Sequence, residues 1–96
     1  MRIKEDVKNK YAEIWTVIDR DNFLDKTFVR VYDNKSDAIA DMERVLNCYA
    51  KEIEKRNYLE IIKESKLEYT LYNRKLDTIA NNVLISHQNC KITDYK

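Results

Sequence analysis

"TFVRVYDNKSDAIADMERVLNCYAKEI", residues 27–53, changes its apolar period part-way along, and the change decides the fold class. Up to Asp33 the side chains alternate. Val29 and Val31 fall on one face and Phe28, Arg30 and Tyr32 on the other, which is the period of a strand. From Ser36 onward Ile39, Met42, Leu46, Tyr49 and Ile53 recur at three and four, broadened by Ala38, Val45 and Ala50. That is the period of an amphipathic helix. Ser36 reads as its N-cap, with Asp37 at the positive end of the helix dipole. At 100° per residue the apolar positions span roughly 140°, wide enough to lie on a sheet. Asp41, Arg44, Lys51, Glu52, Glu54 and Lys55 fill the opposite, solvated face.

Working outward, "YAEIWTVID" at 11–19 also alternates and is rich in β-branched and aromatic residues. It reads as a strand that pairs with residues 27–33 in an antiparallel hairpin. The residues before it, to about Asn9, read as a charged lead-in or a short helical turn. After the helix, expected over 36–57, "YLEIIKES" (58–65) leans to a strand and "KLEYTLYN" (66–73) is one. In the latter, Leu67, Tyr69 and Leu71 face one way and Glu68, Thr70 and Tyr72 the other. "RKLDTIANN" (74–82) fits either period. "VLISH" (83–87) and "KITDY" (91–95) read as closing strands, with turns at Asn81–Asn82 and Gln88–Asn89. The expectation is a single α+β domain over 1–96: a two-layer fold in which an antiparallel sheet, ββα followed by a β meander, packs on one long helix. A helix of about 33 Å would overhang strands of about 20 Å, leaving Tyr49 or Ile53 free for a partner.

Composition narrows the function. Lys and Arg total 18 against 17 Asp and Glu, so no global charge advertises nucleic acid or an acidic membrane surface. "MRIKEDVKNK" has no apolar core of a signal peptide, and no uncharged run is long enough to span a bilayer. The two cysteines, Cys48 and Cys90, are too few for a disulfide framework, and a soluble, cytoplasmic protein with reduced thiols is expected. The chain has no glycine and no proline. Turns with positive φ then fall to other residues, with Asn the expected substitute, and phosphate-cradling glycine loops are excluded.

The stretch 17–33 gathers Asp19, Asp21, Asn22 and Asp25 between two strands. A calcium loop counted from Asp19 puts Phe23 fifth, Leu24 sixth and Arg30 twelfth, where an oxygen ligand, a glycine and a glutamate are required. The acids read as a solvated turn. His87 and Cys90 in "HQNC" offer two metal ligands, with only Cys48 and Asp94 to complete a set of four. Cys48 lies mid-helix with no orienting base, the position of a packed small hydrophobe rather than of a nucleophile. No catalytic constellation emerges, so an enzyme is not expected, and neither cofactor nor metal is implied.

One helix covers one sheet face. The expected open face carries Phe28, Arg30, Tyr32 and Tyr72, with Trp15 joining if it points outward. These are residue types that dominate protein interfaces. With the acids Asp19, Asp21 and Asp25 they form the expected partner surface. Arg30, Arg74 and Lys75 offer a smaller basic patch for direct nucleic-acid contact, and exposed edge strands leave a homodimer open. The run 27–53, a strand ending in Tyr-Asp followed by a capped amphipathic helix, resembles small phage and mobile-element proteins, some of which are anti-defence inhibitors such as anti-CRISPR proteins. Lys, Asn, Ile and Tyr make up 38 residues, a usage typical of AT-rich genomes. The resemblance implies a non-enzymatic inhibitor that docks on a larger protein or ribonucleoprotein complex, a CRISPR effector among them, and occludes its nucleic-acid surface. It carries no individual residue role with it.

Overall fold

Two four-residue turns with the same construction hold the sheet together. At 22–25 the Asp21 carboxylate accepts from the N–H groups of Phe23 and Leu24, each at 3.0 Å. At 74–77 the Asn73 side-chain oxygen accepts from the Leu76 N–H at 3.0 Å. Each turn ends on a left-handed aspartate, Asp25 and Asp77, both with φ 53°. In a chain without glycine the left-handed positions among the described residues go to Asp, not to the Asn expected. Asp tolerates that region for the same reason, a short polar side chain. Asn22 instead ties the first turn to the strand that follows the second, its amide donating to the Ile79 carbonyl at 2.8 Å.

The structure, a computed structural model, describes residues 2–5 and 10–91, with side chains over 13–89. In chain order the elements are β1 (Arg2–Glu5), β2 (Lys10–Asp21), β3 (Lys26–Tyr32), α1 (Lys35–Lys55), β4 (Leu59–Ser65), β5 (Glu68–Asn73) and β6 (Thr78–Lys91). The fold is α+β, one antiparallel sheet and one helix, as the change of period implied. The sheet runs β1-β2-β6-β5-β4. β3 shares the β1 edge of β2: β1 takes its first residues and β3 takes Trp15 to Asp21.

The helix starts one residue before its expected first position because Asn34, not Ser36, is the cap. Asn34 Oδ1 accepts from the Asp37 N–H at 2.8 Å, and the Ser36 hydroxyl donates to that same oxygen. From α1, Ala38, Met42, Val45 and Tyr49 meet Val17, Leu59, Leu71, Val83 and Ile85 of the sheet in one core. The apolar stripe is rotated from the expected one. Asp41 lies inside it, while Ile39, Leu46 and Ile53 are half-buried and Ala50 is exposed.

Three further expectations are corrected. Arg2–Glu5 is a strand, not a lead-in turn, because it pairs with residues 10–13. Residues 81–82 and 88–89 are not turns: β6 runs unbroken from 78 to 91, since every residue from Asn81 to Lys91 has a partner on β2. The "KITDY" strand beyond Lys91 lies outside the described residues. β2 and β6, about 40 and 46 Å long, also exceed a helix of about 31 Å, so the sheet overhangs the helix rather than the reverse. Tyr49 is accordingly buried in the core. These strands give a long dimension of 55 Å and a radius of gyration of 16.8 Å, against about 12.5 Å for a compact domain of this length.

Candidate functional site

Strand alternation sorts the expected interface residues onto faces. Trp15, Val17, Asp19 and Asp21 of β2 share a face with Tyr32, Arg30, Phe28 and Lys26, their register partners on β3. Val17 is fully buried in the core beneath the helix, so this is the helix side of the sheet. Trp15 and Tyr32 pack against that core.

Arg30 and Tyr32 converge there on one carboxylate. Asp41 Oδ2 accepts from Arg30 Nε at 2.5 Å and from the Tyr32 hydroxyl at 2.8 Å, while its Oδ1 accepts from Arg44 at 2.8 Å. Arg30 reaches Asp19 as well, at 3.2 Å. Asp41 is 6% exposed. Burial opposes its ionisation, but the hydrogen bonds from Arg30, Tyr32 and Arg44 outweigh that and hold its carboxyl below the usual range. The same hydrogen bond to Asp41, reinforced by burial, pushes the Tyr32 phenol up.

The expected open face is therefore corrected. Trp15, Arg30 and Tyr32 lie beneath α1, and Asp41 is buried rather than on the solvated helix face. Phe28 is on the helix side too, partly exposed near the end of the sheet, and Asp19 and Asp21 share that side. Asp25 sits at the turn tip in an ion pair with Arg20. Tyr72 is on the open side, one residue past inward-facing Leu71. The physical reason is that the aromatic face offers the helix more apolar area and a cation to neutralise Asp41. The missed signal was Asp41 itself, three residues after Ala38 and four before Val45. An acid inside an apolar stripe demands a buried donor.

The face left open is aliphatic. Val29, Ile18 and Leu84 form one cross-strand row, and Val31, Thr16 and Ser86 the next. Val29 and Val31 are each 59% exposed. An open groove of about 350 Å³ is lined by Ile14, Val31, Tyr32 and Asp33. On β5 and β6 the face turns polar, where the Asn82 amide donates to Glu68 and Thr70, each at 3.0 Å.

Other chemistry considered at the start is dispersed. Cys48 is exposed rather than packed. His87 stacks on Trp15, ring centroids 3.8 Å apart, within β6 rather than on a turn. The Asp94 considered as a ligand lies outside the described residues, and among those no group of three His, Cys, Asp or Glu is placed to hold a metal. No helix among them is long and apolar enough to cross a membrane. Compared with family models, curated proteins and solved structures, the chain matches none.

Proposed function

We propose that this chain is a non-catalytic binding protein that docks on a larger protein assembly through the aliphatic face of its sheet. One observation carries the reading: Val29 and Val31 stand exposed beside Ile18 and Leu84, and among the described residues no element lies over them. A contiguous apolar strip on a sheet face is the surface a protein partner desolvates. In its specific form the partner is a nucleic-acid-processing defence complex, and the chain is an inhibitor of phage or mobile-element type. That form draws on the resemblance of residues 27–53 and on the small size of the domain.

Direct nucleic-acid binding has less behind it, because its basic patch is engaged elsewhere. Arg30 is tied to Asp41 and Asp19, Arg74 donates to the Asn57 carbonyl, and the Lys75 ammonium sits 5.7 Å above the Tyr58 ring. The test is phage plating on bacteria carrying active CRISPR systems, with the wild-type chain and a Val29→Glu/Val31→Glu variant expressed in parallel. The wild type restores plaques and binds the effector complex, while the variant, folded by circular dichroism, loses both. Plating unchanged by wild type across a panel of systems defeats the inhibitor form. Effector binding that survives both glutamates defeats the open face as the docking surface.

A further inference from the structure

On the helix side, past the core, a cleft of about 640 Å³ opens between the second half of α1 and the two turns. Its volume is that of a small-molecule site. The rim is apolar: Phe23 is 92% and Leu76 67% exposed, and Phe28 stands part-exposed between β3 and the helix. The lining also includes Tyr49, Asp19 and Asp21.

Two features of that lining are chemically incomplete. The Tyr49 hydroxyl is buried and has no hydrogen-bond partner. A buried phenol oxygen without a partner is costly and rare. Asp21 is a carboxylate without a cation among the described residues. One oxygen takes the two turn N–H groups, and Lys26, opposite it in register, is exposed and does not pair with it. The other charges lining the cleft are matched: Asp19 with Arg30, Arg44 with Asp41, and Arg56 with Glu52. Burial, and then the charges of Asp19 and Asp21, push the Tyr49 phenol well above its ordinary range, so both carboxylates bear on that hydroxyl.

A group completing this site donates to the Asp21 carboxylate, supplies a partner to the Tyr49 hydroxyl, which can accept as well as donate, and buries an apolar body against Phe23, Phe28 and Leu76. Anions are repelled by Asp21, and neutral hydrocarbons leave Tyr49 unsatisfied. We propose that this cleft binds an organic cation, an ammonium or guanidinium carried on an apolar stem, with its head between Asp21 and Tyr49. The site lies on the helix side of the sheet and stands independently of the open-face reading.

Amide NMR titrations of the full chain test it with three probes: 4-phenylbutylamine, its neutral counterpart 4-phenylbutanol, and the capped dipeptide acetyl-Phe-Arg-amide. Saturable shifts at residues 19–23, Tyr49 and Asn81 are expected with at least one cationic probe. Whether the free amine or the arginine peptide binds more tightly identifies the source of the cation. Asp21→Asn keeps the oxygen that accepts from Phe23 and Leu24, so the turn survives, and binding weakens about tenfold, the effect of one charged hydrogen bond. Tyr49→Phe also weakens it. Asp25→Asn, an acid of the same turn outside the cleft, leaves it unchanged. The proposal is overturned if neither cation binds, if 4-phenylbutanol binds equally well, or if Asp21→Asn and Asp25→Asn behave alike.

Discussion

Arg30 on β3 and Asp41 on α1 meet at 2.5 Å, on the face of the sheet that the helix covers. Of Arg30's two carboxylate partners, Asp41 is nearer than Asp19. Asp41 is buried among apolar neighbours, and Arg30 crosses a strand face that would otherwise bury a charge. Tyr32 and Arg44 complete the carboxylate's shell.

Replacing Asp41 by Asn leaves Arg30 without its principal counter-charge. Breaking a buried pair costs about 3–5 kcal/mol. The Arg30 side chain here is 29% exposed, so a loss nearer about 2 kcal/mol at neutral pH is expected once solvent screening is allowed for. Because the folded state holds the Asp41 carboxyl below its ordinary 3.8, its contribution is present above that value. It is lost as pH falls below about 4 and through the folded-state value. Urea unfolding at neutral and acidic pH checks both points: Asp41→Asn lowers the neutral midpoint and flattens the acid limb. Equal midpoints at neutral pH would remove the node from the account of stability.

Tyr49 and Tyr32 titrate late. Burial comes first for Tyr49 and the hydrogen bond to Asp41 first for Tyr32, and both phenols are displaced upward from 10.0. A group protonated in the fold and raised above its unfolded value stabilises below that value and loses its contribution as pH rises through the folded one. Stability is therefore expected to fall above about pH 10. Absorbance at alkaline pH should show delayed ionisation from Tyr49 and Tyr32, and a smaller delayed fraction in Tyr49→Phe.

The helix start distinguishes two neighbouring caps. Asn34→Ala removes the acceptor of the Asp37 N–H and is expected to cost about 1 kcal/mol. Ser36→Ala removes only a hydroxyl that donates to Asn34 and is expected to cost less than half of that. Thermal unfolding of the two variants side by side settles the order.

Asp77 occupies a left-handed position without glycine's freedom. Asp77→Gly relieves that strain and is expected to stabilise by about 0.5–1 kcal/mol after the added entropy of the unfolded chain is counted. Asp25→Gly gains less, because it also breaks the pair with Arg20. Denaturant midpoints compare them. A destabilised Asp77→Gly would mean the aspartate contributes more at that position than its backbone strain costs.

Alternation and helical period were legible because they are local. Val29 and Val31 opposite Arg30 and Tyr32, a helix from the mid-thirties, and a strand with Leu71 inward and Tyr72 outward all follow from neighbours a few residues apart. Turns were read less well. Asn81–Asn82 and Gln88–Asn89 look like breaks, yet they lie within β6, because eleven consecutive residues of β2 supply partners along it. Local turn preference is weak against a continuous ladder of backbone hydrogen bonds.

By itself, then, the sequence determined the α+β class, the two faces of β2, β3 and β5 and the residues each of those faces would carry. Only the tertiary structure decided which face the helix covers, that the other is aliphatic and open, and that Tyr49, Asp19 and Asp21 line one cleft. Periodicity is symmetric between the two sides of a sheet. A buried carboxylate breaks that symmetry, and its partners, Arg30 and Tyr32, lie on a different element.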